Sequence, residues 1–408
     1  MERPLRFCMI TTFYPPYNFG GDGIFVQRLS RELAARGHSV EIIHCIDSYR
    51  ALADGEPEPE IERESNIIVH GLRSRAGVLS PLATQQTGLP LLKSTAIRKI
   101  LDRQFDVIHY HNISLIGGPK LLEYGEAIKL YTMHEYWLVC PTHVLFKNNR
   151  AACESRRCFT CSLIYKRPPQ WWRYTRLLER AVRHVDAFIA PSRFGRDMHI
   201  RMGFDAPIEH LPLFVPETEA DFSDSFEMPA GEYFLYAGRL EKLKGLQTIL
   251  PAFKRYPKAA LVVAGEGGYE PELKRLAEGS SNIHFLGQVT ERRLRELYRG
   301  AVALIVPSIC YEVFPLVVIE AFRHETPALV RRIGALPETI EESGGGLTFD
   351  VQEGLIQAMD RLVDDRAYRQ ELGRRGREAY LEKWTPQVHI ERYLQLISRI
   401  DLARSQGP

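Results

Sequence analysis

Short β-branched runs alternate with amphipathic stretches almost from one end of the chain to the other, and this alternation constrains the fold more than any single motif. Parallel strands need crossovers of a dozen or more residues, so the pattern indicates an α/β chain with parallel sheets. The first series comprises Leu5 to Ile10, Ser39 to Cys45, Ile67 to His70, Val107 to Tyr110, Ile128 to Met133, Ala187 to Ala190 and Ile208 to Leu211. After its first run comes a Gly-rich loop, Gly20-Gly21-Asp22-Gly23, and the spacing then predicts a helix from Ile24 to Ala35 closed by Gly37. The second series comprises Tyr233 to Ala237, Ala260 to Ala264, Ile283 to Leu286, Val302 to Val306 and Ala328 to Val330. Two stretches, the Glu- and Pro-rich 51–65 and the Ser-, Gly- and Pro-rich 71–90, read as mobile excursions.

Between Pro212 and Gly231 three prolines and many acids replace any periodicity, which places a boundary there. The expected organisation is a first domain 1–212 with an excursion at 140–168, a second domain 213–385, and a closing helix within 386–408. Open parallel sheets bind ligands beyond the carboxyl ends of their strands, so two doubly wound halves facing one another would place a site in the cleft between them. With 53 Lys plus Arg against 51 Asp plus Glu, the net charge of +2 argues against a general nucleic-acid binder. The longest apolar run, Ala301 to Val306, stops at Pro307, well short of a membrane span. The amino terminus reads as a first strand rather than a signal peptide, and seven cysteines fit a reducing compartment, so a cytoplasmic protein is expected.

Two constellations carry chemistry. In Gly238-Arg239-Leu240-Glu241-Lys242-Leu243-Lys244-Gly245, Arg239 leaves a strand end and Lys244 sits at the entry to the next helix. Both cations can face one anion such as a diphosphate, the bland alternative being a solvated basic turn. In Pro307 to Ala321, Pro315 suits a first helical position, which puts Glu312 in the loop and Glu320 on the helix. Carboxylates accept hydrogen bonds from vicinal hydroxyls, and free amides at Val313, Phe314 and Leu316 could donate to a sugar or phosphate. The alternative is that Glu320 pairs with a core Arg.

Taken in order, these residues resemble a family. The G-R-L-x-x-x-K-G run, Gly265-Glu266-Gly267, the Glu312 and Glu320 pair, Gly20-Gly21, Gly37-His38-Ser39-Val40 and Thr132-Met133-His134-Glu135-Tyr136-Trp137 are similar to the retaining glycosyltransferases of family 4. The resemblance spans Arg6 to Ile397 and implies the GT-B fold, two Rossmann-like domains facing across a cleft. It implies that Arg239 and Lys244 bind the diphosphate of a nucleotide-sugar such as a UDP- or GDP-sugar, and that Glu320 holds the ribose. It further implies that Glu312 and the amides after it hold the transferred sugar, that Gly21 admits the distal phosphate, that Gly265 belongs to the donor site, and that His134 lies near sugar and acceptor. No metal is implied for catalysis, and the acceptor would be a glycan, a lipid-linked glycan or a glycosylated natural product. Where many members have Gly and Leu, this chain has Val313-Phe314 before Pro315, so contacts to the sugar differ in detail.

Several features stay open beside that reading. His134 could be structural, His109 is better read as structural, and His111 is undecided. Cys158 and Cys161 have metal-ligand spacing and with Cys140 and Cys153 would complete a structural zinc site, with free thiols or two disulfides as alternatives. The basic, aromatic stretch Gln170 to Arg180 reads as a helix that packs onto the sheet, peripheral contact with the inner face of a membrane being its alternative. The rival functions are a non-catalytic nucleotide-sugar sensor or scaffold on the same fold, and a nicotinamide oxidoreductase, for which the G-x-G-x-x-G fingerprint is missing after the first strand.

Overall fold

The computed structural model describes residues 3–53, 55–57, 65–155, 157–217 and 231–406. It divides into unit 1, Met1–Leu213 with Pro386–Pro408, and unit 2, Phe214–Thr385.

Unit 1 is built on β1 (Arg6–Ile10), β2 (Ser39–Cys45), β3 (Ile67–Leu72), β4 (Val107–Tyr110) and β5 (Ile128–Thr132), then a small hairpin β6 (Phe146–Lys147) and β7 (Ala151–Ala152), and finally β8 (Ala187–Ala190) and β9 (Ile208–His210). Seven of these form a sheet in the order β3-β2-β1-β4-β5-β8-β9, and every pairing in it is parallel. The near-continuous apolar runs are explained by burial on both sheet faces: β4, β5 and β8 are buried throughout. The final helix, Pro386–Ser405, belongs to unit 1, where Tyr393 stacks on Phe7 and Arg404 pairs with Asp186 at 2.6 Å.

Unit 2 holds β10 (Tyr233–Ala237), β11 (Ala260–Ala264), β12 (Ile283–Gly287), β13 (Ala303–Val306), β14 (Ala328–Arg331) and β15 (Gly346–Phe349). Their order is β12-β11-β10-β13-β14-β15, again parallel at every pairing. The chain moves outward from β10 through β12 and then returns to lay β13 against the other side of β10. The loops after β10 and β13 therefore leave in opposite directions, which opens a crevice at the carboxyl ends of these two strands.

Three expectations need correction. The Gly20 to Gly23 segment is not a loop: the helix starts at Gly21, with Gly20 as its extended N-cap. Gly23 is needed there, because a Cβ would fall 2.2 Å from Asn18 Oδ1. The stretch 71–90 is not an irregular excursion, since Leu79–Thr87 is helical and closes on Gly88 in the left-handed conformation. Gln170 to Arg180 is not one helix but a 3-10 turn, Trp171–Tyr174, followed by Leu177–Val182. Strand β15 and the β6–β7 hairpin went unanticipated. Parts of the expected 51–65 excursion and of the 212–231 boundary lie outside the described residues. Among the described residues no helix is long and apolar enough to cross a membrane.

Candidate active site

In unit 2 the crevice between β10 and β13 gathers most of the residues singled out from the sequence. Beyond Ala237 the chain passes through Gly238, at φ +147°, and Tyr236 Oη donates to the Arg239 carbonyl at 2.8 Å, which fixes the exit of that residue. A single 3-10 turn, Lys242–Lys244, then ends on Gly245 at φ +75°. Two constraints require glycine there: the left-handed backbone, and a Cβ that would lie 2.0 Å from the Pro307 carbonyl oxygen. Gly245 thus lets the Lys244 loop press against the loop leaving β13, and the Ile309 amide closes the join by donating to the Leu243 carbonyl at 2.9 Å.

Across this join Lys244 Nζ donates to Glu312 Oε1 at 2.8 Å, and Ser308 Oγ donates to the same oxygen at 2.6 Å. Burial opposes the charge on Lys244, but Glu312 more than offsets it and lifts the ammonium above its ordinary value. Burial likewise works against ionisation of Glu312, but Lys244 and then Ser308 hold it below the usual carboxylate range. Both groups are therefore charged at neutral pH. Arg239 is more exposed, pairs with Glu241 at 2.7 Å, and lies near enough to act electrostatically on both members of the pair. Exposed pairs such as Arg239–Glu241 contribute about 0–1 kcal/mol, so this guanidinium is readily redirected to an incoming anion. Burial, then Glu312, pushes the Cys310 thiol up to about 12, so it is a poor nucleophile at neutral pH.

The same rim takes in the loops after β11 and β14. Gly265 has φ +138° and its Cβ would stand 2.0 Å from the Gly238 carbonyl, so these two loops touch through backbone. Gly334, at φ +66°, brings the loop after β14 against the Glu312 amide, and Ala335 N–H donates to the Glu312 carbonyl at 3.1 Å. Arg331 braces the Pro307 carbonyl at 3.1 Å and Thr248 Oγ1 at 2.5 Å. Ser308, Glu241, Arg331 and Gly334 were missed from sequence, because their roles exist only once separate strand ends meet.

The helix carrying Glu320 differs in detail from its expected form. Pro315 is the N-cap and Leu316–Arg323 the helix, and the Leu316 amide already donates to the Phe314 carbonyl at 3.1 Å, so it is not a free donor. Val313 is buried, and Phe314 packs partly buried against the core. Tyr298 Oη donates to Glu320 Oε2 at 3.4 Å.

In unit 1 the equivalent reversal falls between β1 and β4, where the Thr12 amide donates to the Asn112 carbonyl at 2.5 Å. Asn112 Nδ2 also donates to Asp22 Oδ2 at 3.3 Å, close behind Gly21 in the first helical turn. Burial, then Glu135, raises the Asp22 carboxyl. His134 follows β5, and its Nε2 shares a hydrogen bond of 2.9 Å with His111 Nδ1. Its ring packs on Phe25 at 5.4 Å. Burial, then His389, lowers His134 to about 3, so it works as a neutral hydrogen-bonding group. His109 is structural, its ring nitrogens meeting Thr132 Oγ1 at 2.8 Å and Tyr393 Oη at 2.9 Å. His111 Nε2 is buried and has no hydrogen-bond partner among the described residues. A cavity of about 700 Å³ on this unit is lined by Tyr14, Tyr17, Arg31, His44 and Arg73.

Two families match consecutive parts of the chain: Glycosyltransferase Family 4 over residues 19–219 and Glycosyl transferases group 1 over 217–379. The D-inositol 3-phosphate glycosyltransferase of Pseudarthrobacter chlorophenolicus is 27% identical over 93% of this chain and 91% of its own. A glycogen synthase of Mycobacterium tuberculosis is 26% identical over 92% and 90%. Among solved structures, sucrose-phosphate synthase from Thermosynechococcus elongatus superposes with a TM-score of 0.75 at 21% identity, covering 98% of this chain and 100% of that one. Anabaena HepE in complex with UDP and glucose gives 0.66 at 14% identity, covering 97% and 100%.

Proposed function

Because this chain is a GT-B glycosyltransferase belonging to family 4, we propose that it moves a sugar from a nucleotide-diphosphate donor to an acceptor hydroxyl with retained anomeric configuration. The observation that carries this reading is the Lys244–Glu312 pair at the reversal between β10 and β13, with Arg239 beside it. An incoming diphosphate competes with Glu312 for Lys244 and with Glu241 for Arg239. Glu312, released from its lysine, then accepts hydrogen bonds from the sugar hydroxyls, with the backbone at Val313 and Phe314 alongside it; Gly265 keeps the donor rim open, and Glu320 takes the ribose.

As the anomeric carbon–oxygen bond breaks, its electron pair stays on the departing phosphate, where the two cations stabilise it. The acceptor oxygen attacks the same face of the sugar, forms the new bond, and passes its proton to that phosphate oxygen. Neither Glu312 nor Glu320 forms a covalent bond in this sequence. Gly21 and the neutral His134 serve the distal phosphate, sugar and acceptor. Anabaena HepE binds UDP and glucose in its solved complex, which supports a nucleotide-sugar donor here. The aromatic, arginine-bearing recess of Tyr14, Tyr17, Arg31 and Arg73 supports a glycan acceptor, lipid-linked or free.

Incubating purified protein with a panel of nucleotide-sugars and glycan acceptors, with mass spectrometry for product and NMR for anomeric configuration, tests the reading. Transfer with retention is expected. Inversion would remove the same-face mechanism, and absence of both transfer and donor hydrolysis across the panel would remove the donor assignment.

A further inference from the structure

The segment joining β5 to β8 contains an ordered excursion that its own packing explains poorly. Between Pro141 and Pro168 it holds two-residue strands β6 and β7 and a seven-residue helix, Cys158–Ile164. Five of its non-glycine residues, His143, Leu145, Asn148, Asn149 and Lys166, have φ between +45° and +74°, each unfavourable for an L side chain. Phe159, Leu163 and Ile164 are about half exposed. A cross-link would hold these short elements in place.

The four cysteines are placed to supply one. Cys140 lies in the loop that follows β5, Cys153 comes directly after β7, and Cys158 and Cys161 are the first and fourth residues of the short helix. All four line a single cavity of about 20 Å³, with apolar walls from Val139, Leu145 and Met202. The Asn148 amide donates to Cys161 Sγ at 3.3 Å, and the Cys153 amide ties back to the Leu145 carbonyl at 2.7 Å. Lys147 and Arg157 line the same cavity and would offset the excess negative charge of a tetrathiolate centre. None of the seven cysteines forms a disulfide.

We propose that Cys140, Cys153, Cys158 and Cys161 bind one zinc ion that fastens the hairpin and the short helix to the loop that leaves β5. Among the described residues no three His, Cys, Asp or Glu side chains stand in a ligating arrangement, so binding requires the thiols to turn onto a common centre. Four sulfurs drawn from three separate elements suit the closed tetrahedral sphere of a structural zinc site, with no position left for substrate. The site is distinct from the residues assigned to donor and acceptor, and its test does not depend on turnover.

Metal analysis of the full chain, purified reduced and without chelator from medium containing zinc and iron, is expected to give about one zinc per chain. The double variant C158S/C161S is expected to lose it, with faster proteolysis within 141–168. Where that variant does not fold, wild-type protein exchanged into cobalt is expected to show the visible absorption of tetrahedral thiolate coordination. Wild type with less than about a tenth of an equivalent, and no uptake after reduction in the presence of zinc, would overturn the proposal. So would iron in place of zinc, zinc retained in C158S/C161S, a colourless cobalt form, or disulfides among these four residues found by mass spectrometry.

Discussion

Replacing Lys244 by alanine separates stability from catalysis at the candidate active site. At 2.8 Å and an effective dielectric near 20, its attraction to Glu312 is about 6 kcal/mol. Desolvating the two groups offsets most of that, which leaves a net coupling of about 1–3 kcal/mol. K244A alone leaves Glu312 with the Ser308 hydroxyl as its donor in a half-buried site, so it should cost about 3 kcal/mol, the low end for breaking a buried pair. K244A/E312A should recover part of that loss. Turnover behaves differently, because the double variant still lacks the cation: both variants should fall by roughly 100- to 1,000-fold in kcat/KM for the donor. The depressed Glu312 pKa contributes stability that is present above the ordinary carboxylate value of about 4.3 and is lost as pH falls through its lower folded value. The raised Lys244 pKa contributes stability present below about 10.4 and lost as pH climbs through its higher folded value, so the pair's contribution is flat between these limits. Urea unfolding at pH 7 and donor kinetics on wild type, both single variants and the double variant measure all of this. Unchanged kcat/KM in K244A, or strictly additive stabilities, would refute the reasoning.

Two further outcomes follow from local geometry and burial. G245A should lower stability by about 1–2 kcal/mol from its left-handed backbone alone. Its Cβ must also push away the Pro307 carbonyl, so donor kcat/KM should fall by about tenfold or more, whereas G268A, whose Cβ meets nothing within 4 Å, should behave as wild type; equal behaviour of the two would contradict this account. His109, His111, His134 and His389 are all lowered by burial, so the unfolded chain binds more protons than the folded one below about pH 6.5. Stability should then drop from pH 7.5 to pH 5.5 by up to about 1.4 kcal/mol per pH unit for each histidine, and a urea midpoint unchanged over that interval would rule it out.

Most strands could be read from the sequence because a strand buried on both faces is an uninterrupted apolar run, as in Tyr233–Ala237 and Ala260–Ala264. Strand β15 escaped because Gly-Leu-Thr-Phe at a sheet edge buries fully at Phe349 alone and so carries no such run. The start of the first long helix was misplaced because glycine is a weak helix former, and Gly23 is there for its close approach to Asn18. At the site, charge and spacing indicated Arg239, Lys244 and Glu312, yet not that Lys244 and Glu312 are bonded to each other. That contact depends on Gly245 meeting Pro307, a meeting of residues 62 positions apart that local sequence cannot express.

The two sheets reverse direction at corresponding places, between β1 and β4 and between β10 and β13, yet the side chains at those reversals differ in electrostatic kind. Unit 2 places Lys244, kept charged by Glu312, beside the exposed Arg239. Unit 1 places His111 and His134, kept neutral by burial, near Asp22 and Glu135, whose mutual repulsion helps to raise the Asp22 carboxyl. A pyrophosphate finds counter-charge at the first kind of site and none from imidazoles that stay unprotonated at neutral pH. A hydroxyl needs the reverse, a neutral partner able to accept or donate without binding anions from solution. The proposed division, donor to unit 2 and acceptor to unit 1, is consistent with this charge pattern. Under the proposed division, burial keeps His134 a neutral hydrogen-bonding partner rather than a further cation competing with Lys244 and Arg239 for the pyrophosphate.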